Sequence, residues 1–283
     1  MTLSSTSTLS RWVVLVCVGT LLLAPSLASA QASRTVSETV SLDRDGEVQL
    51  SAFTGEIAVS TWDRAAVQIE VRIEGDEQEH VDKTRIRIDG SGDRVTIETD
   101  YDELEERFLG IFDLGGDDDR PPTFYTITMP ATAALAIDDF SSEIEVTGLR
   151  NGLELETFSS TVRLQDIEGE IRADTYSSEF EAEDIAGSIR FETFSGDATI
   201  SMREITGDCR FESFSGDVEL LLPAGAGFDL DAELGMGGDF ESDFALDNVD
   251  TEGNEYRGAV NGGGPRIQFE TFSGDLELLA REM

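Results

Sequence analysis

One short phrase recurs along the second half of this 283-residue chain and limits what the chain can fold into. Each copy has an apolar strand, an aromatic residue, a serine, then serine or glycine, usually an acid, and a second strand. The aromatics of the copies are Phe140, Phe158, Tyr176, Phe194, Phe214 and Phe272. The first four follow one another at intervals of 18 residues, and the fifth comes 20 residues later. Such a period indicates one supersecondary unit stacked on copies of itself.

Polar and apolar residues alternate within each copy. Ile189 and Phe191 point to one side of a pleated strand, and Arg190 and Glu192 point to the other. The following segment, 194–197, makes a corner, where glycine relaxes the backbone and the serine or aspartate side chain can bond turn amides. We therefore predict an all-β fold, a stacked β-solenoid or β-helix-like array with repeats of about 18 residues.

Stacking would align equivalent residues of successive repeats in columns. Two carboxylates at the ~4.8 Å spacing of adjacent strands repel by roughly 0.9 kcal/mol in water. An arginine column two residues away on the same face is expected to offset part of this repulsion. The predicted columns are a buried one (Ile171, Ile189, Cys209, Ile267), an outward basic one (Arg172, Arg190, Arg210) and an outward acidic one (Glu156, Asp174, Glu192, Glu212, Glu270).

The rest of the chain divides by pattern. Residues 36–100 alternate apolar and polar with no helical spacing, which predicts strands. Acids, glycines and prolines in 102–122 predict an exposed acidic loop, with room for a helical turn in 101–112. The predicted organisation is a signal peptide at 1–30, an N-terminal β-strand region with the acidic loop at 31–122, and solenoid repeats at 123–283 with an irregular insertion at 223–264.

The first 30 residues have the pattern of an export signal. Arg11 precedes an apolar run from Trp12 to Ala24, and a small-residue site ends at Ala30. The run is shorter than the roughly 20 residues that span a bilayer, so we predict cleavage after Ala30 and no membrane span. Cys17 follows a valine where a lipoprotein signal has a small residue, which argues against lipidation. The predicted location is the periplasm, the cell surface or the extracellular space.

The charge balance excludes two classes of partner. The chain has 59 acidic and 20 basic residues, a net charge of −39. Nucleic acids and anionic membrane surfaces need clustered basic residues, so neither is an expected partner. Lys83 is the only lysine, and acid excess with almost no lysine is typical of salt-adapted proteins. A GC-rich genome would explain the arginine preference but not the acid excess.

Two segments outside the regular repeats, together with copies of the repeat phrase itself, point to a known family. They are GEIAVSTWDRAAVQIEV around Trp62, YTITMP ending at Pro130, and the T-F-S-G-D phrases at Thr193, Ser213 and Thr271. These segments resemble the bacterial putative-adhesin family of β-strand-repeat proteins, a domain family of unknown function. The resemblance covers nearly all of the chain after Ala30. It implies a β-solenoid exported to the envelope or surface, and it implies no catalytic residues.

This chain departs from the family pattern in two ways. One is the insertion at 223–264. The other is serine in place of the turn glycine in three repeats, at Ser142, Ser160 and Ser178.

The residue types that carry chemistry are scarce. His80 is the only histidine, so a Ser-His-Asp, Cys-His or multi-histidine metal site cannot be assembled; its polar surroundings predict a solvated loop residue. Cys209 is the only cysteine that would remain after cleavage at Ala30, so no intramolecular disulfide is expected. Its position in the repeat predicts a small hydrophobic core residue. Asp117–Asp119 could bind calcium, but no EF-hand or nonapeptide spacing surrounds it, which favours a solvated acidic loop. We predict no catalytic, cofactor or metal site.

The sequence thus predicts an exported, non-enzymatic, adhesin-like binding or structural module of the surface or envelope. Its partner would be a surface polymer, an envelope protein or a second copy of itself. The alternative is a β-helical polysaccharide lyase or hydrolase. Its groups would lie in 102–122 and 223–264, because most other acids recur by repeat position and an active site should break that symmetry.

Overall fold

The computed structural model describes residues 31–101, 104, 120–235, 237–252 and 254–281. Of these residues 66% lie in strands and 3% in helix, so the all-β prediction is confirmed. The predicted signal peptide with Cys17, the helical turn in 101–112 and Asp117–Asp119 lie outside the described residues, apart from isolated positions of that turn. None of the helices in the described ranges is long and apolar enough to cross a membrane.

The described strands alternate with short corners, and one helix, α1 (Gln78–Lys83), interrupts them. The first strands are β1 (Ala32–Ser41), β2 (Glu47–Ser51), β3 (Thr54–Trp62), β4 (Ala66–Gly75), β5 (Arg85–Ser91), β6 (Arg94–Asp100), β7 (Thr123–Pro130), β8 (Ala134–Asp139), β9 (Ser141–Thr147), β10 (Leu153–Thr157) and β11 (Thr161–Gln165). They continue as β12 (Glu168–Thr175), β13 (Glu179–Thr193), β14 (Ala198–Ile205), β15 (Cys209–Ser213), β16 (Val218–Pro223), β17 (Phe228–Leu234), β18 (Phe240–Ser242), β19 (Asp247–Glu252), β20 (Glu255–Val260), β21 (Arg266–Thr271) and β22 (Leu276–Arg281).

Parallel pairing arranges most strands in two ladders. The first ladder runs β6, β2, β8, β10, β12, the end of β13, β15, β21 and β17. The second runs β7, β3, β9, β11, the start of β13, β14, β16, β22 and β18. The chain crosses from one ladder to the other at each corner, and the long strand β13 belongs to both. The 22 described strands form one sheet that nearly closes on itself.

The register of the first ladder follows the repeat. Leu135 pairs with Leu153, Leu153 with Ile171, and Ile171 with Ile189, each 18 residues further along the chain. Antiparallel strands flank the parallel ones: β5 pairs with β6, β4 pairs with both β7 and β1, and β20 pairs with both β17 and β19.

The core lies between the two ladders. The predicted buried column is confirmed, with Ile171, Ile189, Cys209 and Ile267 at most 1% exposed. Phe191 packs inward against Phe180 of the second ladder, with ring centroids 4.9 Å apart. The predicted basic column, Arg172, Arg190 and Arg210, pairs in register on the outer face. Arg210 is half-buried, not fully exposed as expected, and it pairs with Glu212.

The corner glycines are required by the close approach of successive turns. A Cβ added at Gly216 would lie 2.2 Å from the Gly196 carbonyl oxygen. The aspartate that follows each glycine accepts a hydrogen bond from the backbone of the next corner: Asp197 from the amide of Asp217 (3.1 Å), and Asp217 from the amide of Asp275 (2.9 Å). The Ser-Gly-Asp phrase is thus explained by contacts between copies.

Where serine replaces the turn glycine, the serine hydroxyl accepts a hydrogen bond from the backbone of a neighbouring corner, as the aspartate does in the other copies. Ser160 Oγ accepts from the Ser142 amide (3.2 Å), and Ser178 Oγ accepts from the Ser160 amide (3.1 Å). These serines are buried. The departure from the family pattern therefore keeps the corners joined.

Two segments differ from the sequence-based expectation. His80 lies in α1, not in a loop. The helix was not predicted because six residues are too few to show a helical period. In this helix Val81 is buried, and Lys83 pairs with Glu79 at 2.6 Å.

The segment 223–264, expected to be irregular, contains strands β17 to β20. In β17 the residues Phe228, Leu230, Ala232 and Leu234 are buried in alternation, although the aromatic corner phrase is missing.

Candidate functional site: a groove beside an aromatic ladder

The aromatics of the repeat phrase stack on one another along the first corner. We call this set the aromatic ladder: Phe53, Phe140, Phe158, Tyr176, Phe194, Phe214 and Phe272. Neighbouring ring centroids are 4.7–5.0 Å apart, and neighbouring planes are within 3–7° of parallel. The six repeat aromatics are 39–51% exposed. Because each ring covers its neighbour's face, solvent meets a continuous apolar surface of ring edges.

The two ends of the ladder differ. The guanidinium of Arg120 lies 4.2 Å from the Phe53 ring centroid, a cation–π contact, and Tyr101 meets the same ring edge-on. At the other end the ladder stops at Phe272, because Gly235 holds the next position; its amide donates to the Thr271 carbonyl oxygen at 2.8 Å.

A column of carboxylates runs parallel to the ladder. Six of its seven acids lie two residues before a ladder aromatic that directly follows the end of the same strand, and the seventh, Glu233, lies two residues before Gly235. The predicted acidic column is confirmed by the strand register and extends by one residue at each end. We call the full set the acid column: Asp138, Glu156, Asp174, Glu192, Glu212, Glu270 and Glu233.

The aromatic ladder and the acid column are the two walls of one groove. The groove has a volume of about 1270 Å³ and follows the stack from Phe53 to Gly235. Its floor is formed by the residues between acid and aromatic, whose side chains alternate with those of the walls and face the inside of the corner: Asp139, Thr157, Thr175, Thr193, Ser213 and Thr271.

Arginine offsets the acid column less than expected. Arg210 donates to Glu212 Oε1, and its Nη2 lies 3.6 Å from Glu270 Oε2. Arg172 pairs instead with Glu170, at 3.0 Å, away from the column. Among the described residues, the other five members of the column have no ion-pair partner: Asp138, Glu156, Asp174, Glu192 and Glu233. This wall of the groove is therefore strongly negative.

The floor hydroxyls other than that of the half-buried Thr175 belong to buried residues, and two of them lack a partner in the described structure. Ser213 Oγ donates to the Gly216 carbonyl oxygen at 3.0 Å, and Thr157 Oγ1 bonds Ser160 Oγ. Thr193 and Thr271 are 7% and 9% exposed, and their Oγ1 atoms have no hydrogen-bond partner in the described structure. Buried polar atoms of this kind are rare, so these two positions can still accept a donor.

Asp139 breaks the pattern of the floor. It is 3% exposed and pairs in register with Thr157. Its carboxylate accepts hydrogen bonds from Ser142 Oγ (2.7 Å) and Ser160 Oγ (2.8 Å). Burial raises the pKa of this carboxyl, and the serine hydroxyls oppose the shift. Asp139 thus joins two corners through hydrogen bonds.

The residues singled out from the sequence for possible chemistry do not line the groove. His80 Nε2 lies 3.7 Å from Glu77 Oε2 beside α1. Cys209 is confirmed as a core residue, and burial raises the pKa of its thiol to about 11, so it is not a reactive thiolate. No group of three or more His, Cys, Asp or Glu side chains suited to a metal ion occurs in the described residues, which do not include Asp117–Asp119.

The sequence pattern predicts the aromatics at corners, and the structure adds that their rings stack into one continuous surface. The signal was present, because residues in equivalent positions of adjacent parallel strands lie one strand spacing apart.

Comparison with known families agrees with this geometry. The model of the family described as Toastrack DUF4097 matches residues 126–279, more than half of the chain. This chain belongs to the Toastrack DUF4097 family. The resemblance to bacterial putative adhesins seen in the sequence is confirmed at the family level. The Toastrack match includes every ladder position from Phe140 to Phe272.

Several solved structures are distantly similar to this Toastrack chain. A putative cell adhesion protein from Clostridium sporogenes ATCC 15579 is 12% identical, with 88% of this chain and 100% of that chain covered and a TM-score of 0.37. A putative adhesin from Bacteroides fragilis NCTC 9343 is 9% identical (87% and 97% covered, TM-score 0.31), and a putative lipid binding protein from Parabacteroides distasonis ATCC 8503 is 14% identical (88% and 97% covered, TM-score 0.33). Likeness this low carries no argument about function. No curated protein matches the chain.

Proposed function

We propose that this Toastrack protein is an exported, non-enzymatic, adhesin-like binding or structural module of the bacterial surface or envelope, and that it binds through the groove. The observation that carries the proposal is the uniformity of the walls. One ring and one carboxylate recur on each of six successive strands of the first ladder, from Phe140 to Phe272, over about 24 Å, five steps of the strand spacing. Repeated weak contacts of this kind suit an extended ligand, because linked sites raise effective concentration.

We further propose that the chain is a β-solenoid of rungs of about 18 residues. The 18-residue offset between paired strands supports this interpretation. Strands from 31–122 lie inside the same ladders as those from 123–283, since β2 pairs with β8 and β3 with β9. We treat the two ranges as two segments of one stack.

Export and salt adaptation are part of the proposal. Removal of residues 1–30 would leave Gln31 as the N-terminus of the exported protein, and N-terminal sequencing checks this. An intact Met1 or a lipid-modified Cys17 would contradict it. The acid excess and single lysine support life at high salt.

The proposal is tested by binding of residues 31–283 to isolated native envelopes. The groove variant changes Glu156→Gln, Asp174→Asn and Glu192→Gln. The opposite-face variant changes Glu145→Gln, Glu241→Gln and Glu277→Gln, which removes the same charge from exposed positions of the second ladder. We expect the groove variant to lose envelope binding and the opposite-face variant to keep it.

The same preparations test the enzyme alternative. We expect no release of reducing ends, unsaturated sugars or amines from polysaccharide and peptide substrates. Equal binding by both variants would contradict the groove as the site. Turnover that one carboxylate substitution abolishes would favour a polysaccharide lyase or hydrolase.

A further inference from the structure

We infer that the Asn151–Gly152 peptide is a site of spontaneous deamidation, and that its isoaspartyl product destabilises the corner between β9 and β10. This corner lies at the opposite end of β10 from the groove residues Glu156 and Phe158. The modification is therefore separate from the binding surface, and the inference does not depend on the proposed function.

The reaction needs only water and the asparagine-glycine pair. The main-chain nitrogen of the glycine attacks the asparagine Cγ, a C–N bond forms, and the side-chain nitrogen leaves as ammonia with the proton of the attacking nitrogen. Glycine has no Cβ to hinder this approach. Water then adds to either carbonyl of the cyclic imide. One opening leaves aspartate, and the other leaves isoaspartate, in which the main chain passes through the former side-chain carbonyl.

The chain contains this dipeptide twice, at Asn151–Gly152 and Asn261–Gly262, and both asparagines are exposed. The structure distinguishes them by hydrogen bonding. Asn261 Nδ2 donates to the carbonyl oxygens of Ala226 (2.8 Å) and Ala224 (3.4 Å). These two bonds hold the carboxamide in place, so both must break before its Cγ can turn towards the Gly262 nitrogen.

Asn151 has no such restraint. In the described part of the chain its carboxamide has no hydrogen-bond partner, and none of the turn and loop hydrogen bonds involves the amide of Gly152. The φ of Gly152 is +105°, a conformation that favours glycine, so this corner requires the residue that makes the reaction easiest. The Asn151 side chain can therefore turn towards the Gly152 nitrogen without losing a hydrogen bond.

The next rung lies directly against the reacting peptide bond. A Cβ added at Gly169 would lie 3.0 Å from the Asn151 carbonyl carbon and 2.9 Å from the Gly152 nitrogen. A Cβ added at Gly152 would lie 2.5 Å from the Glu170 carbonyl oxygen. An isoaspartyl linkage adds one methylene group to the main chain at this contact. Because the corner has no room for a Cβ on either side, we expect the isoaspartyl form to displace it and to melt at a lower temperature.

The experiment is incubation of residues 31–283 in heavy-oxygen water at mildly alkaline pH, followed by pepsin digestion in acid and mass spectrometry of both Asn-Gly peptides. Oxygen taken from the labelled water identifies deamidation that occurred during the incubation. We expect position 151 to deamidate at least about tenfold faster than position 261, because two hydrogen bonds restrain only Asn261. In urea that unfolds the chain, this restraint is lost, and the two rates should agree within about twofold.

Three results would overturn the assignment of the site. They are equal rates at the two positions in the folded protein, a faster rate at position 261, and a difference that persists in urea. An Asn151→Gln variant incubated in the same way is the control for other chemical damage, since glutamine would have to form a larger ring. It should gain label at position 261 as wild type does and none at position 151.

The effect on the corner is measured on the deamidated fraction, isolated by anion exchange, with its isoaspartyl content determined from the same peptides. Asn151→Asp is the matched control, because it carries the added charge without the isoaspartyl linkage. We expect the isoaspartyl part of the fraction to melt below Asn151→Asp. An isoaspartyl fraction that melts together with Asn151→Asp would show that the corner tolerates the longer main chain and would contradict the predicted destabilisation.

Discussion

Asp139 shows how one side chain can depart from a repeat without disrupting it. The equivalent residues of the next rungs are Thr157 and Thr175, with neutral hydroxyls. Asp139 has a buried carboxyl at this position, and the carboxylate accepts hydrogen bonds from the hydroxyls of Ser142 and Ser160. Because burial raises its pKa, ionisation of Asp139 opposes folding.

The substitution Asp139→Asn tests whether ionisation of this buried carboxyl lowers the free energy of unfolding. The folded-state pKa is raised, so the carboxyl's contribution to the unfolding free energy is fully present below the unfolded value of about 3.9 and is lost as the pH rises through the folded value. Asparagine cannot ionise, so we expect the stability of the variant relative to wild type to improve from about pH 4 to about pH 7. Urea denaturation at both pH values measures the difference; a constant or shrinking difference would contradict the assignment.

Within one rung, two phenylalanines three residues apart have different roles. Phe191 is fully buried against Phe180, whereas Phe194 stacks between Tyr176 and Phe214 on the surface. We expect Phe191→Ala to cost roughly 3–5 kcal/mol, the range for a packed core ring. Phe194→Ala should cost about 1–3 kcal/mol, the contribution of two stacked contacts. Chemical denaturation of both variants compares them, and equal losses would show that the ladder is as important to stability as the core.

The pattern of each rung could be predicted from the sequence, but the surface that the rungs build could not. The sequence pattern predicted Ile189 inside and Arg190 outside, because successive side chains of a strand face opposite sides and the apolar set faces the core. The short helix around His80 gave no periodic signal. Strand β17 was missed because Gly235 replaces the aromatic corner. The pairing of Arg172 with Glu170 depends on side-chain geometry, which spacing does not determine.

The whole chain has a net charge of −39, and its described strands form one sheet that nearly closes on itself. Repulsion within aligned acid columns destabilises the folded state, and salt screens it. We expect the thermal midpoint to rise with added sodium chloride and to rise most steeply below ~0.5 M, where the Debye length still exceeds the strand spacing. A flat or falling midpoint would remove the salt-adapted interpretation and leave arginine codon preference as the explanation of the basic residues.

Ligand protection of the groove can be measured directly with single cysteines in residues 31–283. The native Cys209 is buried and its thiol pKa is raised to about 11, so it should not interfere. Glu192→Cys places a thiol in the acid column, and Thr199→Cys places one on the second ladder as a control; both positions are exposed. With native envelope added, we expect alkylation to slow at position 192 and to stay unchanged at position 199. Equal rates at position 192 with and without envelope, or slowing at position 199 alone, would contradict the groove as the binding site.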